Sequence, residues 1–193
     1  DLRRSCADWV KRTIGATVSP DAILPTIGSK EFIALLPTLL GLGPDSHVIV
    51  PTVAYPTYAV GAALVGARIT ATDSPETADR ADLIWINSPS NPTGQVLTVE
   101  RLRELVAYAR ATGALLVSDE CYLELGWDAE PISVLHPLKA LGNLPLNPRV
   151  VHDRPLPQQG RHEFVHAAVV VRRDDREHFL YLGLDLNGQI GRA

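Results

Sequence analysis

Two short clusters in this chain combine side chains that could do chemistry: Asn91-Pro92-Thr93-Gly94 and Asp119-Glu120-Cys121-Tyr122. Each comes after an apolar run that reads as a buried strand, Leu83-Ile84-Trp85-Ile86 for the first and Ala114-Leu115-Leu116-Val117 for the second. In open α/β sheets, ligands collect beyond the carboxyl ends of the strands. An amide, a carboxylate and a phenol are therefore aimed at one crevice. A carboxylate at Asp119 must be solvated, hydrogen-bonded or paired with a cation, because burying it alone is costly. A protonated ring nitrogen would be a suitable partner; an N-cap or a structural salt bridge would serve as well. Asn91 could donate to a ligand oxygen, although its cluster also has the composition of a β-turn. Tyr122, three residues after Asp119, could reach the same crevice.

Further residues carry weaker signals. Gly28-Ser29-Lys30-Glu31 opens an apolar helix. Free backbone N–H groups at such a start, with the positive end of the helix dipole behind them, suit a phosphate. A plain helix cap, with Lys30 in solvent, accounts for the same residues. Tyr55 could lay its ring on a flat ligand or belong to the core, and Tyr58 is a similar case. Glu120 and Glu124 are close together on a polar segment and read as solvated rather than as an acid–base pair. His162 and His166 are four residues apart, but no third metal ligand accompanies them. Residues around Phe164-Val165 alternate like a strand, so no metal site is expected.

The elements that must position these groups follow from periodicity. Leu2 to Arg12 reads as the end of an amphipathic helix, and Thr17 to Pro25 as loop. Phe32 to Leu40 reads as a buried helix kinked at Pro37, with Gly41 and Gly43 as stop signals. His47-Val48-Ile49-Val50 is a short strand, and a small-residue helix runs on from Tyr58 to Gly66. Arg68 to Thr72 and Leu83 to Asn87 are strands. Thr98 to Ala111 is the clearest helix: Leu102, Leu105, Val106 and Ala109 fall at i, i+3, i+4 and i+7. Thr98 can cap it, Leu97 can staple it to Leu102, and Gly113 ends it. Ala114 to Ser118 is the next strand. Strands alternating with helices predict an α/β fold with a mostly parallel, doubly wound sheet.

Composition narrows the class without naming it. The 193 residues are 46% hydrophobic and 21% charged, with a net charge of -4. That is ordinary for a globular protein and offers no electrostatic footprint for nucleic acid. No apolar stretch approaches a membrane span, and Asp1-Leu2-Arg3-Arg4 lacks the apolar region of a signal peptide. Cys6 and Cys121 lie far apart and read as free thiols, which predicts a cytoplasmic protein. The chain has no Met at all, which fits one that begins part-way through a longer protein.

Taken in order, the clusters resemble the class I/II, fold type I, pyridoxal-phosphate-dependent aminotransferases. The matching segments are Gly28-Ser29-Lys30-Glu31, Ala54-Tyr55-Pro56-Thr57-Tyr58, Ser88-Pro89-Ser90-Asn91-Pro92-Thr93-Gly94 and Ser118-Asp119-Glu120-Cys121-Tyr122. Within the family, Asp119 to Trp127 and the Tyr55 to Tyr58 segment look most like succinyldiaminopimelate aminotransferases of the lysine and diaminopimelate pathway. The resemblance implies a role for each position. Ser29 and Lys30 would offer N–H groups to the phosphate of pyridoxal 5'-phosphate. Tyr55 would stack on its ring, Asn91 and Tyr122 would hydrogen-bond the phenolic oxygen, and Asp119 would pair with the pyridine nitrogen. It also implies small-molecule amino acid and 2-oxo acid substrates and a homodimer, with no nucleic acid or membrane partner.

The departures from the family pattern matter as much. Family members carry a Schiff-base lysine after the aspartate, near serines. The lysines here are Lys11, Lys30 and Lys139; the first two precede Asp119, and Lys139 lies in His136-Pro137-Leu138-Lys139-Ala140 without the serines. No catalytic residue is therefore assigned. After about Pro137 the helix–strand rhythm is lost, and Leu138 to Gly160 has four prolines. Phe164 to Val171 reads as a strand, and Glu177 to Leu186 as a helix or strand. None of Arg149, Arg154, Arg161, Arg172 and Arg173 sits in a recognisable substrate-binding motif. The expectation is a partial cofactor-binding large domain over residues 1–137 and a divergent tail over 138–193. Function then divides between an aminotransferase fragment inactive for want of its lysine and a non-catalytic cofactor-binding or structural remnant. Histidinol-phosphate aminotransferases and pyridoxal-phosphate-dependent lyases are related alternatives.

Overall fold

The computed structural model describes residues 2–136 with their side chains and the backbone of two later strands, 165–172 and 178–184. The elements run α1 (Leu2–Thr13), β1 (Ile23–Ile27), α2 (Ser29–Leu39), β2 (His47–Val50), α3 (Thr57–Leu64), β3 (Arg68–Ala71), β4 (Leu83–Asn87), α4 (Val99–Thr112), β5 (Leu115–Asp119), β6 (Val165–Arg172) and β7 (His178–Leu184). The strands form one seven-stranded sheet in the order β1-β7-β6-β5-β4-β2-β3. Neighbours are parallel except at β6, which runs antiparallel to both β5 and β7. The sheet is mostly parallel, as the alternation of strands and helices predicts.

Helices cover both faces, which explains the unbroken apolar runs. All five residues of β4 are buried. Leu83 and Trp85 join a cluster with Phe32, Ile33 and Leu36 of α2 and Tyr58 and Ala62 of α3. Ile84 and Ile86 join the opposite cluster, with Val10 of α1 and the apolar face of α4. A strand buried on both sides loses the polar alternation of a half-exposed one. In α4 the buried residues are Leu102, Leu105, Val106 and Ala109, the stripe that the spacing predicts. Thr98 caps this helix, its Oγ1 accepting the Arg101 N–H at 3.2 Å. Gly113 ends it in the left-handed region, at φ 74°. Leu97 packs against the same cluster.

Two expectations change. Thr17 to Pro25 is not all loop: a 3-10 turn over Pro20–Ala22 leads into β1. The strand is disguised because it contains Pro25. β1 is an edge strand, and an edge tolerates the missing N–H. The second change concerns α2, which is not buried all round. Phe32, Ile33, Leu36 and Pro37 face the sheet, whereas Leu35 and Leu39 are exposed. Pro37 lies near the C-terminal end of the helix. Among the described residues, no helix is long and apolar enough to cross a membrane.

α2 and α3 pack closely because Gly61 lies at their contact. A β-carbon there would stand 2.9 Å from the Ala34 carbonyl oxygen and 3.1 Å from that of Ile33. Both obstacles are backbone and cannot rotate away. Gly61→Ala should therefore destabilise the fold by about 1–3 kcal/mol, the usual cost of overpacking. A urea midpoint equal to or above that of the parent would contradict this reading of the contact.

Candidate active site

β4 and β5 are adjacent and parallel, and their last residues, Asn87 and Asp119, are register partners. Asp119 is 4% exposed, so its carboxylate is deep in the protein. Its Oδ2 accepts the Tyr58 O–H at 2.7 Å, and its Oδ1 accepts the Cys121 N–H at 3.2 Å. Tyr58 reaches it from the first turn of α3 and is completely buried. Its ring stacks on Trp85 at a centroid distance of 4.7 Å and meets the Tyr55 edge at 6.0 Å. Three aromatic rings thus hold the hydroxyl that holds the acid.

Burial pushes the Asp119 carboxyl above its usual range, with the Tyr58 and Cys121 hydrogen bonds pulling it partly back. The Tyr58 phenol is raised, first by burial and then by the Asp119 charge, so it stays a donor. The Cys121 thiol is raised for the same two reasons and is not an activated nucleophile. Among the described residues, no cation lies against Asp119. An uncompensated buried carboxylate is costly, and a cationic partner would relieve it.

The Asn91 loop is tied to the same strand ends. The Asn87 side chain works in both directions: Oδ1 accepts the Asn91 N–H at 2.6 Å, and Nδ2 donates to the carbonyls of Pro89 at 3.0 Å and Asp119 at 2.8 Å. Ser88 Oγ accepts the Leu97 N–H at 2.9 Å, and Gly94 N–H returns to the Ser90 carbonyl at 2.7 Å. Peptide bonds Ser88-Pro89 and Asn91-Pro92 are both cis. Asn91 Nδ2 then donates to Tyr122 Oη at 3.4 Å. Burial raises the Tyr122 phenol, while its hydrogen bond with Asn91 acts the other way. Asn91 and Tyr122 border a cleft of about 500 Å³, walled by Pro89, Pro92, Leu125 and Trp127 among others. The cleft wall does not include Asp119.

Ser29 and Lys30 begin α2, after Gly28 at φ 79°. No side chain caps this end by a hydrogen bond. The Glu31 carboxylate instead folds back over Gly28, where a β-carbon would collide with it. Lys30 is exposed and Tyr55 half-buried. No hydrogen bond links Ser29 or Lys30 to the Asp119 group. Lys139 and His162 lie outside the described residues, and His166 is within β6.

Glu120 departs from expectation: it is 3% exposed, not solvated, whereas Glu124 is exposed. Strand alternation carries on past Asp119, which turns Glu120 into the opposite face of the sheet. Sequence reasoning gave Tyr58 only ligand stacking or the core, not the donation to Asp119, and left Asn87 without a role in the site. The i+3 spacing of Tyr58 from Tyr55 was the available signal for the first. A strand-terminal amide was the signal for the second.

A family model described as aminotransferase class I and II matches residues 1–144. The chain belongs to this family. The 4-dedimethylamino-4-oxo-anhydrotetracycline transaminase OxyQ of Streptomyces rimosus is 52% identical over 136 residues, covering 69% of this chain and 38% of the relative. A probable aminotransferase of Mycobacterium tuberculosis is 54% identical over 142 residues, covering 70% and 33%. The solved structure of N-succinyldiaminopimelate aminotransferase from Mycobacterium tuberculosis matches with a TM-score of 0.63 at 30% identity, covering 69% of this chain and 39% of that one. This chain thus spans roughly a third to two-fifths of the length of these relatives. The structural neighbours are fold type I enzymes, and class I and II aminotransferases depend on pyridoxal phosphate.

The donor set fits such a cofactor. A buried carboxylate without a cation among the described residues, an amide and a phenol stand at or just beyond adjacent strand ends, and each Asp119 oxygen keeps a further lone pair after the bonds described. Asp119 could take a ring cation, Asn91 and Tyr122 a ring oxygen, and the α2 N-terminus a phosphate.

Tyr58→Phe isolates the interaction at the centre of the site. It removes the donor to Asp119, and leaving that acceptor short should cost about 1–3 kcal/mol. The Asp119 carboxyl should titrate still higher, because the lost bond is one that lowers it. A folded pKa raised above the unfolded value means that stability falls as pH rises through the folded pKa, so the deficit should be larger on the alkaline side. Carbon-13 titration of the Asp119 carboxyl checks the direction; an unchanged or lower pKa in Tyr58→Phe would refute it.

Proposed function

We propose that this chain forms the pyridoxal-phosphate-binding part of an aminotransferase that moves an amino group between an amino acid and a 2-oxo acid. The observation that carries the reading is the buried Asp119 carboxylate, without a cation among the described residues and held by Tyr58 near Tyr122, which Asn91 meets. When bound, the cofactor supplies an electron-withdrawing ring that stabilises negative charge at the substrate α-carbon. Asp119 would keep the proton on the ring nitrogen. Tyr58 would orient Asp119 and favour its charged form. Asn91 and Tyr122 would hydrogen-bond the phenolic oxygen, and Tyr55 would cover a ring face. The Ser29 and Lys30 N–H groups would receive the phosphate, which would displace the Glu31 carboxylate from that helix end.

The finer reading is N-succinyl-diaminopimelate with 2-oxoglutarate. It is supported by the motif resemblance and by the likeness to the N-succinyldiaminopimelate aminotransferase structure. A cytoplasmic homodimer belongs to the same proposal. The alternative of a chain that binds the cofactor without turnover draws on the lysines. Lys11 and Lys30 precede Asp119, and Lys139 lacks the serine-rich setting of the family's covalent lysine. On this reading the 193-residue chain holds the cofactor reversibly.

Pyridoxal phosphate titrated into the chain should bind, and Asp119→Ala should weaken that binding by at least about tenfold, or 1.4 kcal/mol. Equal affinity in the two chains would remove the site assignment. Borohydride reduction followed by digestion should leave no lysine specifically labelled. A stoichiometric adduct on Lys139 would instead make the chain a covalent holoenzyme.

A further inference from the structure

We infer that Glu120 is a positioning residue that clips the 121–133 loop shut and so holds the Tyr122 wall of the cleft in place. Glu120 follows Asp119 directly but points into the opposite core cluster, on the α1 and α4 side. Its Oε1 accepts the Val134 N–H at 2.9 Å, a buried bond across 14 residues. The two legs of the loop are seated by Leu123 and Ile132, which pack on that cluster. Between them the loop packs on itself: Gly126 lies so close to Pro131 and the Ala129 carbonyl that a β-carbon would collide with both. On the returning leg, Ser133 Oγ accepts the Leu135 N–H at 3.0 Å. A compact segment with adjoining ends and its own packing is an Ω-loop. This one carries Tyr122, Leu125, Trp127, Asp128 and Ala129, one whole side of the cleft. Tyr122 is thus positioned by a bond made on the far side of the sheet.

The clip holds a buried acid, so its stability is linked to that acid's proton. Glu120 Oε2 and Ser118 Oγ are both buried, and neither completes a hydrogen bond. Ser118 lies two residues earlier on the same strand face. The Ser118 and Ser133 hydroxyls stand near the carboxyl and favour its charged form, against the burial that disfavours it. No cation faces Glu120 among the described residues, and Asp119 is the charged group that acts on it. His136, on the returning leg, has a buried Nδ1 without a partner, and Glu124, Asp128 and Glu130 of the loop are exposed. Burial, with a smaller push from Asp119, raises the Glu120 carboxyl from 4.5 to about 7, while Ser133, Val134 and Ser118 offset it in part. The folded value is above the unfolded one. The clip is therefore fully stabilising below the unfolded value, and weakens as pH rises through about 7.

Amide hydrogen exchange on the full chain, with no ligand present, tests this apart from the cofactor reading. The wild type is compared with Glu120→Gln, whose side-chain oxygen can accept the Val134 N–H and which cannot titrate. After correction for intrinsic exchange, wild-type protection at Val134, Leu123 and Leu125 should fall about tenfold between about pH 6 and about pH 8. Protection in Glu120→Gln should stay level. The same pH dependence in both chains overturns the proposal. Glu120→Ala should lose at least about tenfold protection at those amides relative to Glu120→Gln, with β2 and α4 amides unchanged. Retained protection there also overturns it. If the alanine variant does not fold, the pH comparison decides alone.

Discussion

The site depends on a carboxylate kept out of water at the end of β5. Asp119 is buried on a face of the sheet built from aromatic and aliphatic side chains, where a free charge would be expelled. It is retained because Tyr58, itself locked between Trp85 and Tyr55, presents a hydroxyl at 2.7 Å. Every other part of the site is arranged around that acid. Asn87 binds its carbonyl and hands the Asn91 loop its orientation, and Asn91 in turn meets Tyr122. The carboxyl stays raised despite these bonds, so the fold leaves a charge deficit that a cationic ligand could fill.

Two neighbouring acids show how strand geometry separates roles. Asp119 and Glu120 are consecutive, yet alternation sends them to opposite faces of the sheet. Asp119 faces the aromatic cluster and the candidate cofactor groups. Glu120 faces the aliphatic cluster and binds the backbone of Val134. Their shared strand end ties the start and the end of the loop that carries Tyr122 through the Cys121 and Val134 N–H groups. Rigid elements on both sides then fix side chains that sit on loops, the usual division of labour in α/β proteins.

Family membership and activity are distinct matters for this chain. The family is carried by motifs spread over its first 144 residues, and the identity to relatives exceeds half in places. The site residues come from four separate segments, and β4, β5 and α3 bring the central ones together. The lysines are a different case, because none of Lys11, Lys30 and Lys139 stands in the family setting.

Much of this was legible from residue order. Leu83 to Ile86 and Leu115 to Val117 are apolar on both faces, so β4 and β5 announce themselves without tertiary information. Thr98, the apolar stripe and Gly113 define α4 by local capping and periodicity, which act within a few residues. The candidate groups Asn91, Asp119 and Tyr122 follow because strand ends point one way in a parallel sheet. β1 was hidden by Pro25, since only the sheet order shows it to be an edge. Nor could spacing tell that Tyr58, 61 residues before Asp119, would donate to it, or that Glu120 would be buried. Hydrogen bonds across such separations, and the dielectric around an acid, exist only once the helices have closed over the sheet.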